Sequence, residues 1–226
     1  MILVILPRSK NVKQIRIENK NLLFCWVTNM KHEEIIRSQI TGLLLAGGQG
    51  SRLGNVDKGL MEYNGKLLAE RQLIWLAEQV TEILISANQN ILVYKSYNRK
   101  VLTDSTDEFT GPLQGVYQGL IACQSEWLFV LPVDLPSLPI NTIQKLIEKA
   151  NNLDDSKKSY IYYLKSNIRE HFLCMLIAKK ELANLEDFLN QNKNRVHEFL
   201  KLNNAIALDL GFKEDYFKNL NRACDF

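Results

Sequence analysis

Two stretches of the chain carry residues whose types and spacing suit chemistry on phosphates. The first, TGLLLAGGQGSRLGNVDK at residues 41–58, runs from an apolar segment into glycines followed by Arg52 and Lys58. The second, LPVDLPSLP, sets the carboxylate of Asp134 between two prolines. Glycines let backbone N–H groups approach an anion closely, and the two cations supply charge that glycine lacks. Together these features predict a polyphosphate site.

The glycine cluster departs from two common phosphate-binding patterns. A dinucleotide fingerprint, G-x-G-x-x-G, would begin at Gly48 and need a third glycine where Leu53 stands. A P-loop needs a lysine directly after its second conserved glycine, and none is present here. A glycine-rich turn can also be only a turn, but the arginine and the Asp-Lys-Gly that follow favour a phosphate site of another kind.

Asp134 is the predicted metal ligand. Mg²⁺ takes one or two protein carboxylates and completes its shell with phosphate oxygens and water, so a carboxylate beside a polyphosphate site suits it. The alternative is an aspartate that only caps the next turn or helix. The glycine loop favours the metal, and we expect Mg²⁺ as the cofactor.

The elements that must position these residues alternate between strand and helix. Four apolar segments predict strands: ITGLLLA, TEILISAN, RKVLTD and EWLFVLPVD. Helices are predicted in the apolar face Leu73–Val80, from Pro112 to Cys123, and from about Asn141 to Asn151. This order predicts an α/β domain with a mostly parallel sheet, in which ligands bind at the carboxyl ends of the strands. A further segment, SKKSYIYYLKS, predicts a strand at the sheet edge.

Composition narrows the class of protein. The chain has 226 residues, 46% of them hydrophobic and 23% charged, as expected for one soluble globular domain. Its net charge of +3 gives no reason to expect a nucleic-acid or membrane partner. The four cysteines are scattered, so neither a zinc site nor a disulfide framework is indicated, and reduced thiols in the cytoplasm are expected.

The first forty residues differ from the rest. Their two apolar runs, MILVILP and NLLFCWV, are far shorter than a membrane span and lack the pattern of a secretory signal. We expect residues 1–39 to be an N-terminal extension and residues 40–226 to be the working domain. Met30 is an alternative start, which would make residues 1–29 an appendage or a misassigned beginning.

Several motifs, in order, carry a resemblance to a known family. They are LLAGGQGSRLGNVDKGLMEYNGKLL, ISAN, VLTDSTDEFTGPLQGVYQGL, FVLPVDLPSLP, NIREHFLCMLI, NRVHEFL and FKNLNR. The chain resembles the molybdenum cofactor guanylyltransferases over roughly residues 40–222. The resemblance implies a single Rossmann-like domain of the nucleotide-diphospho-sugar transferase type, with helices on both faces of the sheet.

The resemblance also implies an activity and partners. The reaction is transfer of GMP from GTP to the phosphate of molybdopterin, which yields the guanine dinucleotide cofactor and pyrophosphate. Molybdoenzymes and their chaperones are the implied recipients. An incoming phosphate is already ionised at neutral pH, so the reaction needs charge neutralisation and alignment rather than a general base. His197 is accordingly expected on a helix surface.

Site residues are carried over position by position. The implied catalytic residues are Arg52, Lys58 and Asp134. The implied nucleotide-binding residues are Leu45, Ala46, Gly47, Gly48, Lys58, Ser86, Asp104 and Asp134, with Asp134 also the metal ligand. The implied pterin-side residues are Arg169, His171, Asn219 and Asn221. Ser86 stands where an asparagine is common in the family, so either Ser86 or Asn88 takes that role, and Phe172 replaces a usual proline.

Two other functions share some of these features. A cytidylyltransferase or a sugar-phosphate nucleotidyltransferase would have the same glycine loop. A nucleotide-binding module without turnover is also compatible with the loop alone. The presence of Arg52, Lys58 and Asp134 together favours an enzyme, because a binding module needs no metal carboxylate at the phosphates.

Overall fold

The structure is a computed structural model that describes residues 34–47, 56–104 and 111–220. The strands in these ranges are β1 (Ile40–Leu45), β2 (Glu62–Tyr63), β3 (Lys66–Leu67), β4 (Glu82–Ser86), β5 (Lys100–Leu102), β6 (Trp127–Pro132), β7 (Ile161–Lys165), β8 (Glu170–Ala178) and β9 (Ile206–Asp209). The α-helices are α1 (Leu68–Ala77), α2 (Ile91–Lys95), α3 (Pro112–Ala122), α4 (Thr142–Asn151), α5 (Leu182–Asn190) and α6 (Val196–Leu202).

The main sheet has seven strands in the order β5-β4-β1-β6-β8-β7-β9. Strand β1 lies at its centre and pairs in parallel with both β4 and β6. Strand β8 is antiparallel to both of its neighbours, whereas β9 is again parallel to β7. The predicted α/β fold with a mostly parallel sheet is therefore confirmed, and β2 and β3 form a separate two-stranded hairpin.

Alternate residues of the strands face two different layers of helices. Leu44 and Phe129 pack in the core on one side of the sheet, where α1 and α4 lie. Leu43 and Leu128 pack in the core on the other side, where α3, α5 and α6 lie. Because β1 and β6 are covered on both faces, they are continuous apolar runs, as a buried parallel strand requires. The predicted helices on both faces of a single domain are confirmed.

The segment before β1 also packs on this domain. Ile35 is buried, and its backbone N–H and carbonyl bond the side-chain amide of Asn151 on α4, both at 2.9 Å. Residues 1–33 lie outside the described ranges. The division of the chain at residue 39 and the alternative start at Met30 stay predictions.

One predicted element is in a different place. The segment SKKSYIYYLKS contains β7, which lies between β8 and β9 and not at the edge of the sheet. Residues 161–164 of β7 are all buried, because neighbouring strands and helices cover both faces. The edge prediction failed because the chain returns after α6 to add β9. Among the described residues no helix is long and apolar enough to cross a membrane.

Candidate active site

Three parallel strands end together at one edge of the sheet. In register, Leu45 of β1 is paired with Ser86 of β4 and with Pro132 of β6. The pairing continues beyond the strands, since Val133 N–H donates to the carbonyl of Leu45 at 3.1 Å. Gly47 and Asp134 therefore leave the sheet at the same edge, as expected for the carboxyl ends of parallel strands.

Lys58 and Asp134 meet at this edge. Lys58 Nζ lies 3.4 Å from Asp134 Oδ2, and the two side chains are 20% and 18% exposed. Each is therefore shielded from solvent yet still reachable by a ligand. Two residues that the sequence analysis selected from separate motifs thus form one ion pair.

The residue before Lys58 anchors it. Asp57 is 9% exposed. Its Oδ1 accepts hydrogen bonds from Gly59 N–H at 3.0 Å and from the hydroxyl of Tyr94 at 2.7 Å. Its Oδ2 accepts one from the side-chain amide of Asn90 at 3.0 Å. A buried carboxylate is stable only when such donors satisfy it. Asn90 and Tyr94 could not be recognised from sequence as partners of Asp57, because nothing local shows that residues about 35 positions apart meet.

Helix α1 holds the loop that carries Asp134. Gln72 is almost fully buried, and its Nε2 donates to the carbonyls of Leu135 at 2.7 Å and Pro132 at 3.4 Å. Leu220 N–H donates to the carbonyl of Asp134 itself at 2.9 Å. Backbone on both sides of the aspartate is therefore fixed, which keeps its carboxylate at the strand end.

A bulge in β8 opens a cleft beside Asp134. The ladder between β6 and β8 ends at Val130 and Met175. On its other side, β8 pairs Met175 with Tyr163 and then His171 with the next residue of β7, so residues 172–174 have no partner in that ladder. Bulges bend a strand and often occur next to active sites. Here the bulge coincides with the point where β8 separates from β6.

The resulting cleft brings together residues from both predicted halves of the site. Its volume is about 290 Å³, and its walls are Pro132, Asp134, Leu135, Arg169, Glu170, His171, Phe172, Leu173, Cys174, Val196 and Asn219. The predicted metal ligand thus shares one cleft with three of the predicted pterin-side residues: Arg169, His171 and Asn219. Phe172, which replaces the usual proline, forms part of the wall.

His171 is a neutral side chain in this cleft. It is 8% exposed and stacks on Phe217, with ring centroids 4.3 Å apart and an interplanar angle of 16°. Burial, and secondarily the charge of Arg169, lowers the pKa of His171 from 6.5 to about 4, while Glu214 opposes this shift. At neutral pH the imidazole is uncharged, so it can donate one hydrogen bond and accept another.

Arg169 lies in the turn between β7 and β8 and connects to the C-terminal part of the fold. Its guanidinium donates to the carbonyl of Phe217 at 2.6 Å, and its Nε lies 3.9 Å from a carboxylate oxygen of Glu214. The remaining guanidinium donors can face an anion in the cleft. Glu214 was not identified from sequence, because it is one acidic residue among many.

Asn219 brings an unpaired acceptor to the cleft. Its Oδ1 is buried and has no hydrogen-bond partner among the described residues. An unsatisfied buried oxygen is costly, and a bound cation is one group that would satisfy it. A carboxylate from Asp134 and an amide oxygen from Asn219 are the hard ligands that Mg²⁺ accepts. No group of three or more acidic, histidine or cysteine residues suited to a metal occurs in the described ranges.

A second polar group lies beyond β4. Asn88 Nδ2 donates to Asp104 Oδ2 at 2.7 Å, and Asp104 N–H donates back to Asn88 Oδ1 at 2.9 Å. Asn88 also borders the glycine loop, since a Cβ added to Gly47 would come 3.4 Å from its Nδ2. Burial raises the pKa of Asp104, although its bond from Asn88 works in the other direction. Gly47, Asn88 and Asp104, the last two joined by hydrogen bonds, therefore form one group.

Ser86 lies deeper than the other predicted nucleotide-binding residues. It is 4% exposed, and its side chain packs against Gly115 of α3, where a Cβ would collide with the hydroxyl. Leu45 also contacts Gly115, and Ala46 is buried beside the sheet. Of the two alternatives for the missing asparagine, Asn88 is the one that bonds another predicted nucleotide residue.

Three predicted site residues lie outside the described ranges: Gly48, Arg52 and Asn221. His197 is on the exposed face of α6, as expected.

A family model and named relatives identify the same type of protein. Residues 42–205 match the model of the MobA-like NTP transferase domain. A molybdenum cofactor guanylyltransferase from Yersinia pseudotuberculosis is 34% identical over 192 residues, which cover 84% of this chain and 94% of that protein. One from Cupriavidus metallidurans is 43% identical over 120 residues, or 53% of this chain and 59% of that protein.

A solved structure has the same fold. It is molybdopterin-guanine dinucleotide biosynthesis protein A from Archaeoglobus fulgidus, with a TM-score of 0.62 at 18% identity. The match covers 82% of this chain and 94% of that one.

Proposed function

The chain belongs to the MobA-like NTP transferase family, and we propose that it transfers GMP from GTP to the phosphate of molybdopterin. The products are molybdopterin guanine dinucleotide and pyrophosphate. The observation that carries the proposal is the cleft in which Asp134, paired with Lys58, faces Arg169, His171 and Asn219. Relatives named molybdenum cofactor guanylyltransferase, at 34–43% identity, support the same reaction.

The chemistry is a displacement at phosphorus. An oxygen of the molybdopterin phosphate forms a bond to the α-phosphorus of GTP, and the bond from that phosphorus to the bridging β-phosphate oxygen breaks. Pyrophosphate leaves with the electron pair. Because both reactants are anions, the protein must lower their repulsion and align them. No proton has to be removed from the attacking oxygen at neutral pH.

Residues of the chain divide between the two reactants. Lys58 screens charge near the α-phosphate, and Arg52 with the glycine amides takes the β- and γ-phosphates. Asp104 and Asn88 hold the nucleoside side. Arg169 binds the phosphate of the acceptor, and neutral His171 offers it a hydrogen bond. Preorganised donors of this kind are each worth about a hundred- to a thousandfold in rate.

Asp134 and Asn219 are the residues that would hold Mg²⁺. When bound, the ion supplies positive charge to the phosphate oxygens. The buried Oδ1 of Asn219, which has no hydrogen-bond partner within residues 34–47, 56–104 and 111–220, supports this assignment. Asn221 is a further candidate from the resemblance. Cytoplasmic location is part of the proposal and rests on the scattered cysteines. Delivery to molybdoenzymes and their chaperones is also part of it and rests on the resemblance.

Pyrophosphate release tests the proposal. The purified protein is incubated with molybdopterin, Mg²⁺ and either GTP or CTP, and the dinucleotide product is identified by mass spectrometry. We expect product with GTP only, and loss of at least a hundredfold in rate for Asp134→Asn. Asp154→Asn is the matched control, because Asp154 is an exposed partner of Lys157. Product with CTP alone would show that the reaction is cytidylyl transfer and not guanylyl transfer. Unchanged pyrophosphate release by Asp134→Asn would show that Asp134 takes no part in the reaction.

A further inference from the structure

The hydroxyl of Tyr94 is a buried polar group in an otherwise apolar part of the core. Tyr94 is fully buried on α2 and packs among apolar side chains. A phenylalanine would fill nearly the same space. The hydroxyl adds one interaction, a 2.7 Å hydrogen bond donated to Asp57 Oδ1. Burial, followed by the bond to Asp57, raises the pKa of Tyr94, so the hydroxyl stays a donor at neutral pH.

The carboxylate of Asp57 is fixed at both of its oxygens. Oδ1 accepts hydrogen bonds from the hydroxyl of Tyr94 and from Gly59 N–H, and Oδ2 accepts one from the side-chain amide of Asn90. Asn90 has a left-handed backbone, with φ of 49°, a conformation that asparagine tolerates better than most residues. Since donors hold both oxygens, the carboxylate can neither rotate nor tilt freely.

This carboxylate sets the turn from which Lys58 extends. Asp57 is the N-cap of a 3₁₀ turn, Lys58–Leu60, and accepts from its Gly59 N–H. Met61 N–H closes the turn on the carbonyl of Lys58 at 3.1 Å. Gly59 lies so close to the tyrosine that a Cβ there would overlap the Tyr94 hydroxyl. The two sequence neighbours of Lys58, Asp57 and Gly59, both contact Tyr94, so the backbone of Lys58 is held beside that side chain.

We propose that Tyr94 and Asp57 are positioning residues for Lys58, and that they aim its ammonium group at Asp134 and at the phosphates of the nucleotide. The proposal rests on the proposed function only in placing a polyphosphate beside Lys58. A flexible lysine has four rotatable bonds and loses much entropy when it is fixed. A rigid turn removes the backbone part of that cost before the ligand arrives.

A double-mutant cycle tests whether Tyr94 acts through Lys58. Binding of inorganic tripolyphosphate with Mg²⁺ is measured by calorimetry, because this probe carries the phosphates without a base. The variants are Tyr94→Phe, Lys58→Met and their combination. Tyr97→Phe is the matched control: Tyr97 is the next tyrosine, its ring 6.5 Å from that of Tyr94, and no hydrogen bond joins it to Asp57.

We expect Tyr94→Phe to weaken binding about tenfold, the effect of one lost hydrogen bond to a charged group. In the Lys58→Met background the same substitution should change binding less than twofold, because the group that it positions is gone. A merely structural tyrosine would weaken binding equally in both backgrounds, which overturns the proposal. Absence of any effect, or of tripolyphosphate binding by the wild type, also overturns it.

If Tyr94→Phe does not fold, the cycle is run with Asn90→Gly, which keeps the left-handed backbone and removes the donor to Asp57 Oδ2. The outcomes given for the Tyr94→Phe cycle then support or overturn the proposal in the same way. Failure of guanylyl transfer is seen separately, in the product assay with GTP and molybdopterin. The two proposals can therefore fail independently.

Discussion

Lys58 Nζ lies 3.4 Å from Asp134 Oδ2, although 76 positions of sequence separate the two residues. One end of this pair is held by the Asp57 turn, and the other by Gln72 and Leu220 through the backbone around Asp134. A cation and an anion fixed in this way form a preorganised site, whose geometry a phosphate ligand need not create.

Gly59→Ala is expected to destabilise the protein by about 1–3 kcal/mol, because the new Cβ would overlap the hydroxyl of Tyr94. The measurement is the free energy of unfolding from urea titration. Tyr94→Phe removes the overlapping oxygen, so the double variant should recover part of the loss, limited by the nearby ring carbon. Equal losses from Gly59→Ala in both backgrounds would contradict the proposed contact.

The stability of the protein should depend on His171 between pH 6.5 and 4. Its native pKa is about 4, so in this window the unfolded chain binds a proton that the native imidazole does not. Stability from this group is therefore present above pH 6.5 and lost as the pH falls, by on the order of 2 kcal/mol. Urea midpoints at pH 7 and 4.5 measure it in the wild type and His171→Gln.

The variant should lack this part of the acid sensitivity. His197→Gln is the control, because His197 is an exposed histidine of α6. If wild type and His171→Gln lose the same stability over the window, the imidazole is not held neutral.

Gln72→Met should reduce both stability and turnover. The substitution keeps the side-chain length but leaves the carbonyls of Leu135 and Pro132 without their donor, at a cost of about 1–3 kcal/mol. Turnover should fall at temperatures where the variant is still folded, since the loop that carries Asp134 is loosened. Gln144→Met is the control, because Gln144 bonds only an exposed Glu148. Unchanged turnover by Gln72→Met would show that the loop needs no such support.

Asn219→Ala is expected to lower activity without lowering stability. Its Oδ1 is buried and has no partner in the part of the chain that the structure describes, so removing it should leave the melting temperature of the ligand-free protein unchanged or raised. Mg²⁺-dependent pyrophosphate release should fall at least tenfold if Asn219 holds the ion. Asn203→Ala serves as the opposite control: it removes a bond to the carbonyl of Phe199 and should lower stability without changing release. A lower melting temperature together with full activity for Asn219→Ala would contradict both parts.

The order of the central elements could be predicted from sequence because their signals are local. Strands β1, β4 and β6 are rich in apolar residues, and α3 begins at Pro112, a residue suited to the first helical turn. Parallel strands place their carboxyl ends together, so the position of Gly47 and Asp134 at one edge of the sheet could also be predicted. The family resemblance then supplied Arg169, His171 and Asn219.

What could not be predicted depends on contacts between distant residues. The neutral state of His171 comes from burial against Phe217, and the place of β7 inside the sheet comes from β9, which follows it by about forty positions. Asp57 was visible only as part of a motif, because its donors Asn90 and Tyr94 lie 33 and 37 positions further along the chain. Sequence patterns locate elements, whereas the hydrogen bonds between them need the folded chain.

The bulge in β8 has a consequence for how acceptor selectivity can diverge. Residues 172–174 line the cleft but take no part in the ladder with β7, and the ladder with β6 has already ended at Met175. Cys174 is part of the hydrophobic core, whereas Phe172 and Leu173 are only partly buried. Substitutions at these two positions can reshape the acceptor side while the sheet ladders stay intact, so a library restricted to them is a direct route to variants that accept a different phosphate monoester.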